Sequence, residues 1–118
     1  MELDELYQQN ILDHYKHPRH KGVPDMYTEK REGSNPSCGD ELTIYLTHDG
    51  NVINSIMFDG DGCAISQAAT SMLMERLTGK PLASLRDLTE EDVYGMLGVV
   101  VGPQREKCAL LALRTLKQ

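Results

Sequence analysis

Two runs of alternating apolar and polar residues, one on each side of a turn, constrain the fold of this chain more than any other feature. Residues 42–47 alternate in this way and are rich in residues that favour strands, and residues 52–58 repeat the pattern. Asp49, Gly50 and Asn51 between them are typical of a hairpin turn. The sequence therefore predicts two antiparallel strands. One face of the second strand would carry Val52, Asn54, Ile56 and Phe58.

The N-terminal region predicts a helix followed by an irregular connection. Over residues 4–17, apolar side chains recur every four positions, which is typical of an amphipathic helix, and Pro18 would end it. We interpret this apolar face, which includes Leu3, Tyr7, Ile11 and Tyr15, as part of the core. Residues 18–40 contain several prolines and glycines and predict an irregular connection, with a strand near residues 27–31.

The C-terminal half predicts helices. After a strand end at residues 60–62, residues 64–77 favour a helix that ends near Gly79. Thr89 and Asp92 resemble a capping box for a second helix, which Gly98 would close. Pro103 suits the first turn of a last helix with an apolar stripe of leucines at 110, 113 and 116. We therefore expect one α+β domain over residues 1–118, in which a small antiparallel sheet packs against several helices.

Composition excludes several classes of function. The chain carries 12 basic and 18 acidic side chains, a net charge of −6, which disfavours nucleic acid as a partner. Its longest apolar stretch, residues 96–101, is far shorter than the roughly 20 residues of a membrane helix. The acidic start is unlike a secretory signal, and an odd number of cysteines favours metal or thiol chemistry over disulfides. We therefore expect a cytoplasmic protein with neither membrane nor nucleic acid as a partner.

The hairpin predicts that three potential metal ligands meet at one end of the sheet. A turn centred near residues 49 and 50 places position 38 opposite a position near 61, so Cys38 approaches Cys63. Asp40 points to the same side of the strand as Cys38, and Cys108 could supply a fourth ligand. Four such ligands suit zinc, and thiolates with a carboxylate also suit iron with bridging sulfide. The alternative is that these cysteines are simply small core residues.

Several segments together resemble the IscU and SufU family of iron-sulfur assembly proteins. The resemblance spans nearly the whole chain and includes three cysteines and an aspartate in the family's order. It is carried by Asp13-His14-Tyr15 with Pro18-Arg19 and Gly22, by Asn35-Pro36-Ser37-Cys38-Gly39-Asp40, and by Gly60-Asp61-Gly62-Cys63-Ala64-Ile65-Ser66.

The resemblance implies a site and a role for each of its residues. Cys38, Asp40, Cys63 and Cys108 would hold zinc or a nascent cluster and receive sulfur from a cysteine desulfurase. Lys107 stands where the IscU branch has a histidine, as in the SufU branch, and a protonated lysine cannot bind metal. We expect Lys107 and Arg105 to offset the negative charge of the ligands, with Arg105 pairing with Asp40. The alternative is that both are solvated charges on a helix.

Two departures from the family pattern make the chain a hybrid. SufU proteins usually carry an extra segment between the second and third cysteines, but Cys63 and Cys108 are only 45 positions apart, as in IscU. The Leu-Pro-Pro-Val-Lys segment that a chaperone reads in IscU is replaced by residues 99–104. Chaperone-driven cluster release is therefore not expected.

Three functions are compatible with these residues. The leading hypothesis is a zinc-dependent sulfurtransferase that accepts persulfide sulfur from a cysteine desulfurase, with Cys38 as first acceptor and Cys108 as the alternative. The second is a non-enzymatic scaffold that builds a [2Fe-2S] cluster on the same residues and passes it to recipient apoproteins. The third is a purely structural zinc domain. The sequence does not predict an oligomeric state.

Overall fold

A three-stranded antiparallel sheet and six helices make up the part of the chain that the structure describes. The computed structural model describes residues 3–37, 39–98 and 101–118, including side chains except those of residues 3–8 and Gln104. The predicted α+β class is confirmed. In chain order the elements are α1 (Leu3–Lys16), β1 (Glu29–Asn35), β2 (Asp40–His48), β3 (Ile53–Asp61), α2 (Ala64–Leu77), α3 (Ser84–Asp87), α4 (Glu90–Leu97), α5 (Pro103–Ala109) and α6 (Leu111–Leu116).

The sheet has β2 in its centre, paired with β1 on one side and β3 on the other. Glu41 in β2 faces Asp61 in β3, whereas the turn position predicted from the sequence would place it opposite Phe58. The predicted register is wrong because residues 49–52 form a longer loop, and the pairing is irregular between Thr47 and His48. The hairpin itself is confirmed, with its register displaced.

The displaced register changes which residues of β3 face the core. Ile56 and Phe58 are fully buried, as predicted, but Val52 and Asn54 are exposed and Ile53 is buried in their place. The irregular pairing at the start of the strand explains the change, because an extra residue reverses the alternation of faces.

The strand β3 also continues further than predicted. We expected residues 60–62 to end the strand, but pairing runs to Asp61. Gly60 has a φ of 138°, and a Cβ atom there would lie 2.1 Å from the carbonyl oxygen of Glu41. Glycine at this position therefore allows the two backbones to approach, so that the pairing reaches Asp61.

The strand β1 occupies much of the segment predicted to be irregular. Its residues 29–35 are almost entirely polar, so the apolar alternation that indicates a strand is missing. The packing of β1 on the C-terminal helix explains this composition. A Cβ atom on Gly33 would lie 2.0 Å from Oγ1 of Thr115, so the strand and helix α6 are in close contact there.

The core lies between the inner face of the sheet and the helices. Helix α2 is buried along most of its length and contacts α1, α4, α5, α6 and β3. The largest fully buried side chains come from β2, β3, α2, α4 and the C-terminal helices. They are Ile44, Leu46, Ile53, Ile56, Phe58, Leu73, Met74, Leu77, Val93, Leu97, Leu110 and Leu116.

Helix α1 is anchored to α2 through a buried histidine. Nδ1 of His14 lies 2.8 Å from Oγ of Ser71, and the backbone N–H of Arg19 donates to the same oxygen over 2.8 Å. Burial lowers the pKa of His14 below its usual value, and the nearby Arg19 lowers it further. Ile11 is buried as predicted, but Tyr15 is 46% exposed, so its assignment to the core is wrong.

The later helices largely follow the predictions. The capping box between Thr89 and Asp92 is present, and Gly98 closes α4 in a left-handed conformation. The predicted last helix is divided at Leu110, which separates α5 from α6, and its three stripe leucines are buried. None of the described helices is long and apolar enough to cross a membrane.

Candidate metal centre

Asp40 is a nearly fully buried carboxylate at the start of β2, with 1% of its surface exposed. Its Oδ1 accepts a hydrogen bond of 3.0 Å from the backbone N–H of Cys63. Its Oδ2 is buried and has no hydrogen-bond partner among the described residues. Buried polar atoms are rarely left without a partner, so this oxygen fits a group that accepts its lone pair, such as a metal ion.

Cys63 is held close to Asp40 by the chain between β3 and α2. It is the N-cap residue of α2 and its side chain makes no capping hydrogen bond. A Cβ atom on Gly62 would lie 2.7 Å from Oδ1 of Asp40, so only glycine fits without a shift. The N-terminus of a helix favours negatively charged groups, which suits a thiolate or carboxylate ligand.

Cys108 reaches the same place from helix α5. It is buried, and its Sγ lies 3.8 Å from Nδ2 of Asn35, the last residue of β1. Asn35 is itself buried and pairs directly with Asp40 across the sheet. Asn35 begins one of the motifs that carry the family resemblance, but the sequence alone indicates no role for it. The pairing of β1 with β2 places it beside Asp40, but the polar composition of β1 hides that pairing from sequence analysis.

These three residues form a compact set of metal-binding groups. One ligand atom from each of Asp40, Cys63 and Cys108 lies within 4.8 Å of the others. The predicted convergence of Asp40 and Cys63 at one end of the sheet is confirmed, and Cys108 joins them. Cys38 lies outside the described residues. The described donors are two sulfurs and one carboxylate, which suit zinc or an iron-sulfur cluster.

The two predicted cations do not contact the carboxylate. Arg105 and Lys107 lie on α5 and are exposed. Among the ion pairs of the described residues, none joins Arg105 to Asp40, so that expected pair is not formed. Burial explains the difference, because the pair would require the guanidinium group to leave solvent. Lys107 lines a cleft of about 290 Å³ together with Asn35.

A known protein family matches nearly the whole chain. The model of the NifU-like N-terminal domain matches residues 6–118. The chain belongs to this family. Its relatives carry the names SufU and IscU, so the family resemblance read from the sequence is confirmed.

Two curated relatives represent the two branches of the family. The zinc-dependent sulfurtransferase SufU of Bacillus subtilis is 32% identical over 98% of this chain and 90% of that protein. The iron-sulfur cluster assembly scaffold protein IscU of Thermotoga maritima is 35% identical over 96% of this chain and 91% of that protein. The alignment with the Bacillus protein runs over 133 positions. The Bacillus protein therefore has residues that this 118-residue chain lacks.

A solved structure confirms the fold. The crystal structure of FiSufU from Fervidobacterium islandicum, a protein named for the SUF system, has a TM-score of 0.82 and 32% identity. The match covers 96% of this chain and 95% of that one. This agreement supports the sheet and helix arrangement that brings Asp40, Cys63 and Cys108 together.

Proposed function

We propose that this chain accepts persulfide sulfur from a cysteine desulfurase at a zinc site made of Cys38, Asp40, Cys63 and Cys108. The observation that carries the proposal is that the Asp40 carboxylate, which lies close to two cysteine sulfurs, has a buried Oδ2 with no hydrogen-bond partner in the described part of the chain. Burying an oxygen without a hydrogen-bond partner costs free energy of folding unless a ligand binds that oxygen. Zinc can bind sulfur and carboxylate donors in one site. Bound zinc would keep the coordinating cysteines in their thiolate form at neutral pH.

The charge of the site supports a resident dication rather than an empty site. Three thiolates and one carboxylate together exceed the charge of a zinc ion by two negative charges. Arg105 and Lys107 are exposed on α5, which also carries Cys108. We propose that they reduce the remaining charge through solvent and attract an acidic surface of the desulfurase, without touching the ligands.

We propose Cys38 as the first sulfur acceptor. Cys63 is tied to the start of α2, and Cys108 is buried in α5, so neither position suits a side chain that must leave the metal. Gly39, next to Cys38 in sequence, is exposed and has a φ of 72° with open space around it. Cys108 is the alternative acceptor.

The transfer step is a thiol exchange that balances without an outside oxidant or reductant. The Cys38 thiolate attacks the outer sulfur of the desulfurase persulfide and forms a new sulfur-sulfur bond. The bond between that sulfur and the desulfurase cysteine breaks, and its electron pair leaves on the desulfurase as a thiolate. The proton of the terminal persulfide travels with the transferred sulfur.

The proposal is tested by mapping the sulfur on the wild-type protein. Protein purified without oxygen is analysed for zinc, iron and sulfide, then incubated with a cysteine desulfurase and cysteine. Alkylation and peptide mass spectrometry locate the added sulfur. One zinc per chain with added sulfur on Cys38 supports the proposal, sulfur on Cys108 selects the alternative acceptor, and zinc protein that takes up no sulfur contradicts it.

The second candidate is a scaffold that assembles a [2Fe-2S] cluster and passes it to recipient apoproteins. It is favoured by the identity to the Thermotoga scaffold and by the short spacing between Cys63 and Cys108. On a scaffold, an Asp40→Ala variant should retain a coloured cluster that the wild type loses. A zinc transferase should instead lose zinc or sulfur uptake in that variant. We place either activity in the cytoplasm.

A structural zinc domain makes a different prediction. If zinc only held the fold together, a chelator would unfold the protein cooperatively and a desulfurase would not bind. Circular dichroism during chelation, with desulfurase binding measured in parallel, separates this possibility from the first two.

A further inference from the structure

Asn35 is a buried side chain beside the candidate metal centre that the proposed reaction has not yet used. Its Nδ2 lies 3.8 Å from Sγ of Cys108, although the two residues are 73 positions apart in the chain. Only 6% of Asn35 is exposed and Cys108 is 3% exposed, so the contact is shielded from water. A buried amide that donates to a sulfur is a specific contact rather than a chance neighbour.

The sheet fixes the position of this amide. Asn35 pairs with Asp40 in the ladder between β1 and β2, so the donor and the carboxylate lie at the same end of the sheet. The site thus contains a hydrogen bond donated by Asn35 to Cys108 and another donated by the backbone N–H of Cys63 to Asp40. Cys108 lies on helix α5, and Asn35 donates to its sulfur from the end of β1.

We propose that Asn35 is a positioning residue that holds the Cys108 sulfur toward Asp40 and Cys63. This inference rests on the proposed function, in which Cys108 is a metal ligand and Cys38 is the first acceptor. Groups that donate to a ligand atom orient it and tune how strongly it binds the metal. By keeping Cys108 in place, Asn35 leaves Cys38 as the cysteine that is released to take up sulfur.

The main test replaces the amide by an apolar side chain of similar size, Asn35→Leu. Its matched control is Asn54→Leu, the same change at an exposed position in β3. Competition with a chromogenic chelator should show that Asn35→Leu binds zinc at least about tenfold more weakly than the wild type, and that the control does not.

A second measurement detects the hydrogen bond itself. In cobalt-substituted protein, a donor to the thiolate lowers the energy of the sulfur lone pairs, so the sulfur-to-cobalt charge-transfer band lies at higher energy. Asn35→Leu should move this band to longer wavelength, and the control should not. In the sulfur mapping experiment, the share of added sulfur on Cys108 should rise relative to Cys38.

The outcomes distinguish this inference from the proposed function. Unchanged zinc affinity in Asn35→Leu, or weaker affinity with an unmoved cobalt band, would overturn the positioning role, because lost packing alone explains the second result. A wild-type protein that binds zinc but accepts no sulfur would overturn the proposed function. The zinc affinity and the cobalt charge-transfer band of Asn35→Leu would still test the positioning role of Asn35. If Asn35→Leu does not fold, Asn35→Ala, which has no side-chain donor, replaces it in the same assays.

Discussion

Replacing Asp40 by asparagine should raise the stability of the metal-free form and reduce the further stabilisation that added zinc provides. Asparagine keeps an oxygen that can accept from the backbone N–H of Cys63, and it replaces the unpartnered Oδ2 by an NH₂ group. That group is a donor, and a carboxylate oxygen of Asp40 and the two sulfurs lie within 4.8 Å of one another, so we expect it to donate to a sulfur in the metal-free form. The metal-free variant therefore loses an uncompensated buried oxygen.

The size of each effect follows from the burial of Asp40. A buried polar group without a partner costs about 1–3 kcal/mol, so metal-free Asp40→Asn should be more stable than the metal-free wild type by about that amount. For a chain of this size, 1 kcal/mol corresponds to a rise in Tm of roughly 4 °C. A neutral amide is a poor zinc ligand, so zinc affinity should fall at least about tenfold, which removes about 1.4 kcal/mol of stabilisation by zinc.

The assay is thermal unfolding with and without a fixed excess of zinc, followed by circular dichroism. Asp59→Asn is the matched control, because Asp59 is exposed on β3 and its substitution should change stability by less than about 0.5 kcal/mol in either form. If metal-free Asp40→Asn melts below the metal-free wild type, the unpartnered oxygen does not carry the cost argued here, and the reasoning for the metal site loses its main support.

Three further predictions concern the fold. Burial lowers the pKa of His14 below its usual 6.5, so the unfolded state binds more protons than the folded state once the pH falls below about 6.5. The free energy of unfolding should therefore decrease below that pH. Urea titrations should show a smaller decrease in the His14→Gln variant. Gly33→Ala should lower the free energy of unfolding in denaturant by about 1–3 kcal/mol, because its Cβ would lie 2.0 Å from Thr115. The control Gly95→Ala, at a helical position with open space around it, should instead raise that free energy by up to about 1 kcal/mol. Thr89→Ala removes the cap of α4 and should lower the free energy of unfolding by about 1 kcal/mol, and an unchanged value would show that the capping box is not maintained in solution.

The hairpin illustrates what the sequence could and could not predict. Alternating residues identified β2 and β3, because burial of one face of a strand leaves a period of two in the sequence. The register was not predicted, since it depends on the length of the loop and on the irregular pairing at Thr47 and His48. Asp40 and Cys63 were nevertheless expected to converge, because a displacement of a few residues still leaves both at the same end of the sheet.

The strand β1 was mostly missed for a different reason. Its inner positions include Arg31, whose guanidinium donates to the backbone oxygen of Leu116, and Gly33, which packs on α6. These residues satisfy tertiary contacts rather than a hydrophobic pattern, so no local periodicity reveals them. The same tertiary dependence hid the role of Asn35, whose side-chain contact, Cys108, is 73 positions away in the chain.

The hydrophobic core and the candidate metal centre are built from different residues. The core cluster joins β2 and β3 to α1, α2, α4 and the C-terminal helices, and it contains none of Asp40, Cys63 and Cys108. A chain of 118 residues can bury enough apolar surface to fold without a metal. The described ligands are instead placed by the sheet pairing, by the start of α2 and by the burial of α5. We therefore expect a site placed in this way to keep its shape without a bound ion, which the proposed exchange of sulfur requires and which a purely structural zinc domain does not need.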